Sequence, residues 1–160
     1  MVFVTIGNQD FQFTRLLNAV ESAVKENFIN EEVVVQSGYT IFQSSFMKVV
    51  PFLSKEDFEH HIIQSSYIIS HAGTGSIING LRHNKKLIVA ARLKKFSEHI
   101  DDHQVEILEA FSFKKHIIPI NLDISDLNSL ITNLDQYEIK PFISNSDNFN
   151  KQLSSIINKI

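Results

Sequence analysis

The stretch SHAGTGSIING, Ser70 to Gly80, decides how the rest of the chain is read. It follows a short apolar run and opens a helix-like segment, and it sets Gly73 and Gly75 one residue apart, directly after the His71-Ala72 pair. Glycines at the point where a strand hands over to a helix let backbone N–H groups approach an anion, and the helix N-terminus adds the positive end of its dipole. Ser76 is placed to cap that helix and to donate to a phosphate oxygen. Two common nucleotide signatures fail here. The third glycine of the dinucleotide fingerprint would fall at position 78, which is Ile78, and no Gly-Lys-Ser/Thr follows. A glycine-eased turn without any ligand remains the alternative.

Outward from this loop, strand-like and helix-like pieces alternate. Val2 to Ile6 reads as a strand ended by Gly7, and apolar residues at 13, 16, 17, 20 and 24 predict a helix from Phe13 to Glu26. Val33–Gln36 and Phe46–Val50 read as strands joined by a polar loop with Gly38. Ser54, with Asp57 three positions on, predicts the start of a helix running to about Ser65. Tyr67–Ser70, Lys86–Ala91 and His116–Ile120 supply further strands, and Glu98–Phe111 a helix, with two more helices expected over 125–135 and 146–159. Repeated βα units with continuously apolar strands predict a Rossmann-like α/β domain, a parallel sheet with helices on both faces. Ligands on such sheets lie beyond the carboxyl ends of the strands, so the loops at Gly7-Asn8, Phe52-Leu53, His71–Ser76 and Arg92–His103 are expected to converge.

Composition narrows the classes. At 160 residues the chain is one domain, long enough to bury roughly two-thirds of its unfolded surface. A net charge of -3 without a dense basic stripe argues against nucleic acid as partner. The absence of cysteine removes disulfide and thiolate chemistry. The opening MVFVTIGNQD has neither the basic start nor the long apolar run of a secretion signal, and no apolar run reaches the ~20 residues that span a bilayer.

A second polar cluster, FSEHIDDHQVE at 96–106, places Glu98, Asp102 and Glu106 four apart on the expected helix and pairs His99 with His103. Three uses fit these residue types. They are a solvated helix face, metal ligation by His99, Asp102 and His103, and recognition of a hydroxyl-rich ligand by carboxylate, imidazole and amide groups.

Taken together, VTIGNQDFQFTRLLNAV, SHAGTGSI and FSEHIDDHQVE resemble the small bacterial polysaccharide glycosyltransferase subunits of the PssE/EpsE type and the soluble subunit of the eukaryotic dolichol-linked N-acetylglucosaminyltransferase. Those proteins correspond to the C-terminal, donor-binding half of MurG-like, family 28 GT-B glycosyltransferases. The likeness runs through about residue 111. It implies a single nucleotide-sugar-binding domain over 1–160 that uses a UDP-sugar as donor and needs no other cofactor and no metal. The implied reaction is inverting transfer to a polyprenyl-diphosphate-linked sugar in surface polysaccharide synthesis. By resemblance, Gly7 and Asn8 lie near the diphosphate, and Phe52 and Leu53 face the uracil. His71, Gly73, Thr74, Gly75 and Ser76 hold the diphosphate, with Arg92 adding charge there or steadying the loop. His103 and Gln104 meet the sugar hydroxyls. Asn79 stands where several UDP-sugar transferases place a ribose-binding glutamate, and Asn8-Gln9 departs from the family's usual first loop. Glu98 and His99 are this chain's candidates for the base that takes the acceptor's proton.

The resemblance also implies a separate membrane-associated subunit supplying the other GT-B half. It would hold this chain at the cytoplasmic, inner face of the membrane and meet it through the apolar faces of ISDLNSLITNL and FNKQLSSIINKI, for which core packing is the alternative. A non-catalytic nucleotide-sugar-binding or regulatory subunit is the competing function, and a metal-dependent hydrolase a third.

Overall fold

A computed structural model describes residues 1–143. Six strands, β1 (Val2–Thr5), β2 (Val33–Gln36), β3 (Lys48–Val50), β4 (Tyr67–His71), β5 (Leu87–Ala90) and β6 (Ile118–Pro119), form one sheet in the order β3-β2-β1-β4-β5-β6. Every pairing is parallel. Among the described residues, five α-helices connect or cover the strands: α1 (Thr14–Lys25), α2 (Lys55–Gln64), α3 (Thr74–Arg82), α4 (His103–Phe113) and α5 (Leu127–Thr132).

The strands read as unbroken apolar runs because both faces of the sheet are covered. Alternate side chains serve alternate cores. Val2, Val4, Val35, Ile69 and Ile88 pack with Leu16, Leu17 and Val20 of α1 and with Leu127 and Leu130 of α5. Phe3, Val34, Ile68, Leu87 and Val89 pack with Ile62 of α2, Ile77 and Leu81 of α3, and Leu108 of α4. The expected α/β architecture with helices on both faces is what the chain adopts. The cap at Ser54 also forms: its Oγ accepts from the Asp57 backbone N–H at 3.0 Å and donates to the Asp57 carboxylate at 2.9 Å.

Two helical expectations, the one over 125–135 and the one starting at Glu98, differ from what is found. The stretch 125–135 divides into α5 and a 3₁₀ turn at Leu134–Gln136, and Leu127 and Leu130 are buried, so this segment packs into the core and does not present an apolar face outward. The helix expected at 146–159 lies outside the described residues.

The helix expected from Glu98 begins only at His103. Before it come a 3₁₀ turn, Lys94–Phe96, and Ser97 in the left-handed region at φ 57°. The reason is a buried ionic latch. Glu98 is 3% exposed and accepts from Arg15 through both carboxylate oxygens, each at 2.8 Å, while the Leu93 backbone N–H donates to it at 3.0 Å. Residues 98 and 102 therefore do not share a helix face, and the four-apart spacing carries no meaning there.

Arg92 reinforces the same loop. Its guanidinium donates to the carbonyls of Ile6 (2.6 Å), Phe11 (2.9 Å) and Glu98 (3.2 Å) and lies 4.9 Å from the centre of the Phe13 ring. The segments after β1 and β5 are thereby tied together. Removing one partner of a buried pair strands the other, so Glu98→Gln should lower the free energy of unfolding by roughly 2–3 kcal/mol, read from urea denaturation. An unchanged midpoint would contradict the latch.

Candidate active site

Between β1 and β4 the strand order reverses, and the loops leaving their carboxyl ends diverge around a crevice. The sequence places glycines on both. Gly7 has φ +76°, a conformation few other residues accept, and a Cβ there would stand 2.6 Å from His71 Nε2. A Cβ on Gly73 would collide with the same imidazole. Both glycines are therefore needed so that the backbone can lie against the ring of His71. Gly75 is different, because a Cβ there would meet nothing within 4 Å. The two glycines of the Gly-x-Gly pair thus have separate reasons, one internal and one facing open space.

His71 is 7% exposed, and its Nδ1 faces the Thr5 carbonyl at 3.4 Å, which makes Nδ1 the donor and leaves Nε2 with the lone pair. Burial, and after it the Arg92 guanidinium, push its pKa down to about 4, against the opposing pull of the Thr5 carbonyl. The ring is neutral at physiological pH. The diphosphate role expected for it becomes support of the loop from behind.

Helix α3 starts at Thr74, with Gly73 as its N-cap and no side-chain cap. Ser76 consequently sits in the first helical turn, not at the cap expected from the sequence. The N–H groups of this turn have no intrahelical partners and open toward the crevice. They border a cleft of ≈ 280 Å³ lined by Gly7, Asn8, Phe52, Leu53, Gly75, Ser76 and Asn79, together with Thr5, Gln36 and Phe58. Seven expected site residues from three loops are thus brought together. Two larger hollows among the described residues, one of ≈ 390 Å³ beside β6 lined by Ser112, Ile117 and Tyr137 and one of ≈ 380 Å³ lined by Tyr67, Asn84 and Ile131, border no glycine loop.

The fourth loop does not line the cleft. Arg92 is 1% exposed and committed to carbonyls, with burial lowering its pKa to about 10 and Glu98 opposing that fall, so it steadies the loop and offers no charge to a phosphate. Gln104 is 4% exposed and its Oε1 accepts from the Arg92 backbone N–H at 3.1 Å, a structural use of the carbonyl expected to meet a sugar. His103 is exposed and its Nδ1 lies 3.0 Å from Glu106. Thr74 is exposed beside Gly75.

Glu98, held by Arg15 and Leu93, is not a free base. His99 keeps that possibility: its Nδ1 lies 2.7 Å from Asp101 Oδ1 and its ring stands 5.8 Å from that of Phe11. The Asp101 carboxyl is held below its usual range by the His103 backbone N–H and by the neighbouring His99. His99, Asp102 and His103 do not gather as ligands, since Asp102 accepts from the Lys94 backbone N–H, and among the described residues no three His, Asp or Glu side chains are grouped as a metal site. Sequence reasoning missed Arg15, Thr5, Gln36 and Phe58. For Thr5 and Gln36 a signal existed, because each is the one polar residue ending an otherwise all-valine or Val-Phe strand.

Two measurements check this geometry. Gly73→Ala should destabilise the fold by roughly 2–3 kcal/mol through the overpacked imidazole, whereas Gly75→Ala should leave stability equal or higher while closing the approach to the α3 N-terminus. Because folded His71 titrates near 4 and an unfolded histidine near ~6.5, only the unfolded chain takes up this proton as the pH falls through that window. Stability should therefore drop by roughly 2 kcal/mol between pH 7.5 and pH 5 in urea titrations, and His71→Asn should flatten the slope.

Comparison with known proteins accords with this arrangement. The description glycosyltransferase family 28 C-terminal domain matches residues 1–160. The UDP-N-acetylglucosamine transferase subunit ALG13 of Candida albicans is 29% identical over 148 residues, 89% of this chain and 44% of that protein. Its Candida glabrata counterpart is 30% identical over 146 residues, 88% of this chain and 68% of that protein. The chain thus spans less than half of the first relative and about two-thirds of the second. Among solved structures, the solution structure of ALG13 superposes with a TM-score of 0.56 at 21% identity over 90% of this chain and 89% of that one. A glycotransferase of kitacinnamycin superposes with a TM-score of 0.52 at 16% identity over 83% of this chain and 34% of that one, a likeness of fold. By the match along its whole length, the chain belongs to the family of glycosyltransferase family 28 C-terminal domains.

Proposed function

We propose that this chain is the donor-binding half of an inverting UDP-sugar glycosyltransferase that works with a second subunit. The observation that carries the reading is the uncapped start of α3 at the sheet's switch point, with Gly75 facing open space beside it. A diphosphate at that position is held by amide dipoles without a metal. Phe52, Leu53 and Phe58 give the far wall of the cleft an apolar surface suited to the face of a base. The names of the relatives make UDP-N-acetylglucosamine the first donor to test.

In this reading the α3 terminus stabilises the departing UDP, Gly7 and Asn8 approach the diphosphate from the other side, and Asn79 takes the place nearest the ribose. His103 lies beyond the cleft toward the transferred sugar. With Glu98 locked, His99 aligned by Asp101 is this chain's own candidate base, and a base from the second subunit is the alternative. That competing possibility, a donor-binding subunit whose partner carries the chemistry, is favoured by the commitment of Glu98 to Arg15. The second subunit supplies the acceptor site and attachment to the cytoplasmic face of the membrane; among the described residues no helix is long and apolar enough to cross one. A polyprenyl-diphosphate-linked sugar as acceptor and a surface polysaccharide as product rest on the sequence resemblance alone.

Calorimetry tests the reading. UDP and UDP-N-acetylglucosamine should bind with equal affinity in the presence and absence of EDTA, and Gly75→Ala should weaken both at least tenfold. The absence of heat at millimolar UDP would sink it, and metal-dependent turnover without an acceptor would point to a hydrolase.

A further inference from the structure

Residues at the carboxyl ends of β3, β2, β1 and β4 form a row across the α2/α3 face of the sheet. Val50, Gln36, Thr5 and Ser70 are register partners on β3, β2, β1 and β4. One layer deeper on β2, β1 and β4 the same face is apolar, with Val34, Phe3 and Ile68 in the core, and on the edge strand β3 it carries the exposed Lys48. The change from apolar to polar takes place at the cleft. Ser70 is satisfied, its hydroxyl donating to the His71 carbonyl at 2.9 Å. Thr5 is not. It is 2% exposed, its Oγ1 has no hydrogen-bond partner among the described residues, and it lines the cleft together with Gln36, which is 8% exposed.

A buried hydroxyl without a partner is a net loss to the fold, and such groups in native proteins call for an explanation. A valine would fill the same space on a β-strand at no such penalty. We propose that Thr5 and Gln36 are the polar floor on which the nucleoside of the donor rests, the Thr5 hydroxyl acquiring its missing hydrogen bond from that ligand. The assignment rests on the nucleotide reading of the same cleft and adds two residues to it. Adjacent strands are about 4.8 Å apart, so the row from β4 to β3 spans roughly 14 Å. That length carries a nucleotide from phosphates above β4 and α3 to a base against Phe52 beyond β3. Thr5 and Gln36 fall midway, beneath the pentose and the inner edge of the base, where a hydroxyl and a carboxamide match groups that both donate and accept.

The signature is opposite movement of stability and affinity in one variant. Thr5→Val should raise or leave unchanged the thermal midpoint of the free protein while weakening UDP about fivefold, and Thr5→Ser should keep UDP affinity within about twofold of the parent. Gln36→Met should also weaken UDP severalfold. A Thr5→Val protein that binds UDP as tightly as the parent overturns the assignment and leaves the nucleotide reading standing. A lowered midpoint in Thr5→Val also overturns it, since the hydroxyl would then serve the fold. A parent chain that shows no heat with UDP overturns the nucleotide reading, and this floor with it.

Discussion

The imidazole of His71 sits where the strand order reverses, and the surrounding loops are shaped around it. Gly7 and Gly73 have no side chain because the ring occupies the space where one would go. Its Nδ1 is engaged by the Thr5 carbonyl, so the histidine reaches from β4 to β1 across the crevice. A neutral aromatic ring does this where a charged one would not, because burial disfavours the imidazolium and the nearby Arg92 guanidinium adds to that penalty. Arg92 in turn fastens the first loop through the Ile6 and Phe11 carbonyls and the fifth through Glu98. Loop positions that look like functional decoration are held from below by one histidine and one arginine, both facing inward.

This inward support separates two kinds of residue that share a motif. In His71-Ala72-Gly73-Thr74-Gly75-Ser76, the first and third members are architecture, while the fifth and sixth border the cleft. The same division runs through the 92–104 stretch. Arg92, Glu98 and Gln104, the residue types most suggestive of chemistry, are buried and hold the backbone of their own loop at Glu98, Leu93 and Arg92. Polar chemistry in a sequence marks a place where the chain is constrained, and only geometry tells whether the constraint is a ligand or the fold itself.

How much was legible follows the same line. The parallel sheet and its two helical layers were readable because continuous apolar strands and helical periodicity are local signals, and the cap at Ser54 was readable because its two partners lie three residues apart. The convergence of Gly7, Phe52 and Gly75 followed from a topological rule. The late start of α4 was not readable, since it depends on Arg15, which reaches Glu98 across 83 residues of sequence. Two polar residues closing apolar strands, Thr5 and Gln36, stood in plain view, and their meaning emerged only when the register set them side by side at the floor of a cleft.

The charge balance of the cleft bears on what must face it. Among the described residues, none that lines it is charged, and a helix N-terminus amounts to about half a positive charge. Under the proposed function, a UDP-sugar brings two negative charges, and the departing UDP gains one more as the bond to the sugar breaks. Amide dipoles offset part of this, but Lys94 and Lys95 on the loop after β5 do not line the cleft, and Arg92 on the same loop is committed to backbone carbonyls. On that proposal, the remaining positive potential belongs to the surface of the second subunit that closes over the donor. Closure by the second subunit would both exclude water and complete the charge, so that departure of the diphosphate is favoured only when both halves and the acceptor are in place. A half-site of this polarity suits an enzyme that must not hydrolyse its donor while it waits.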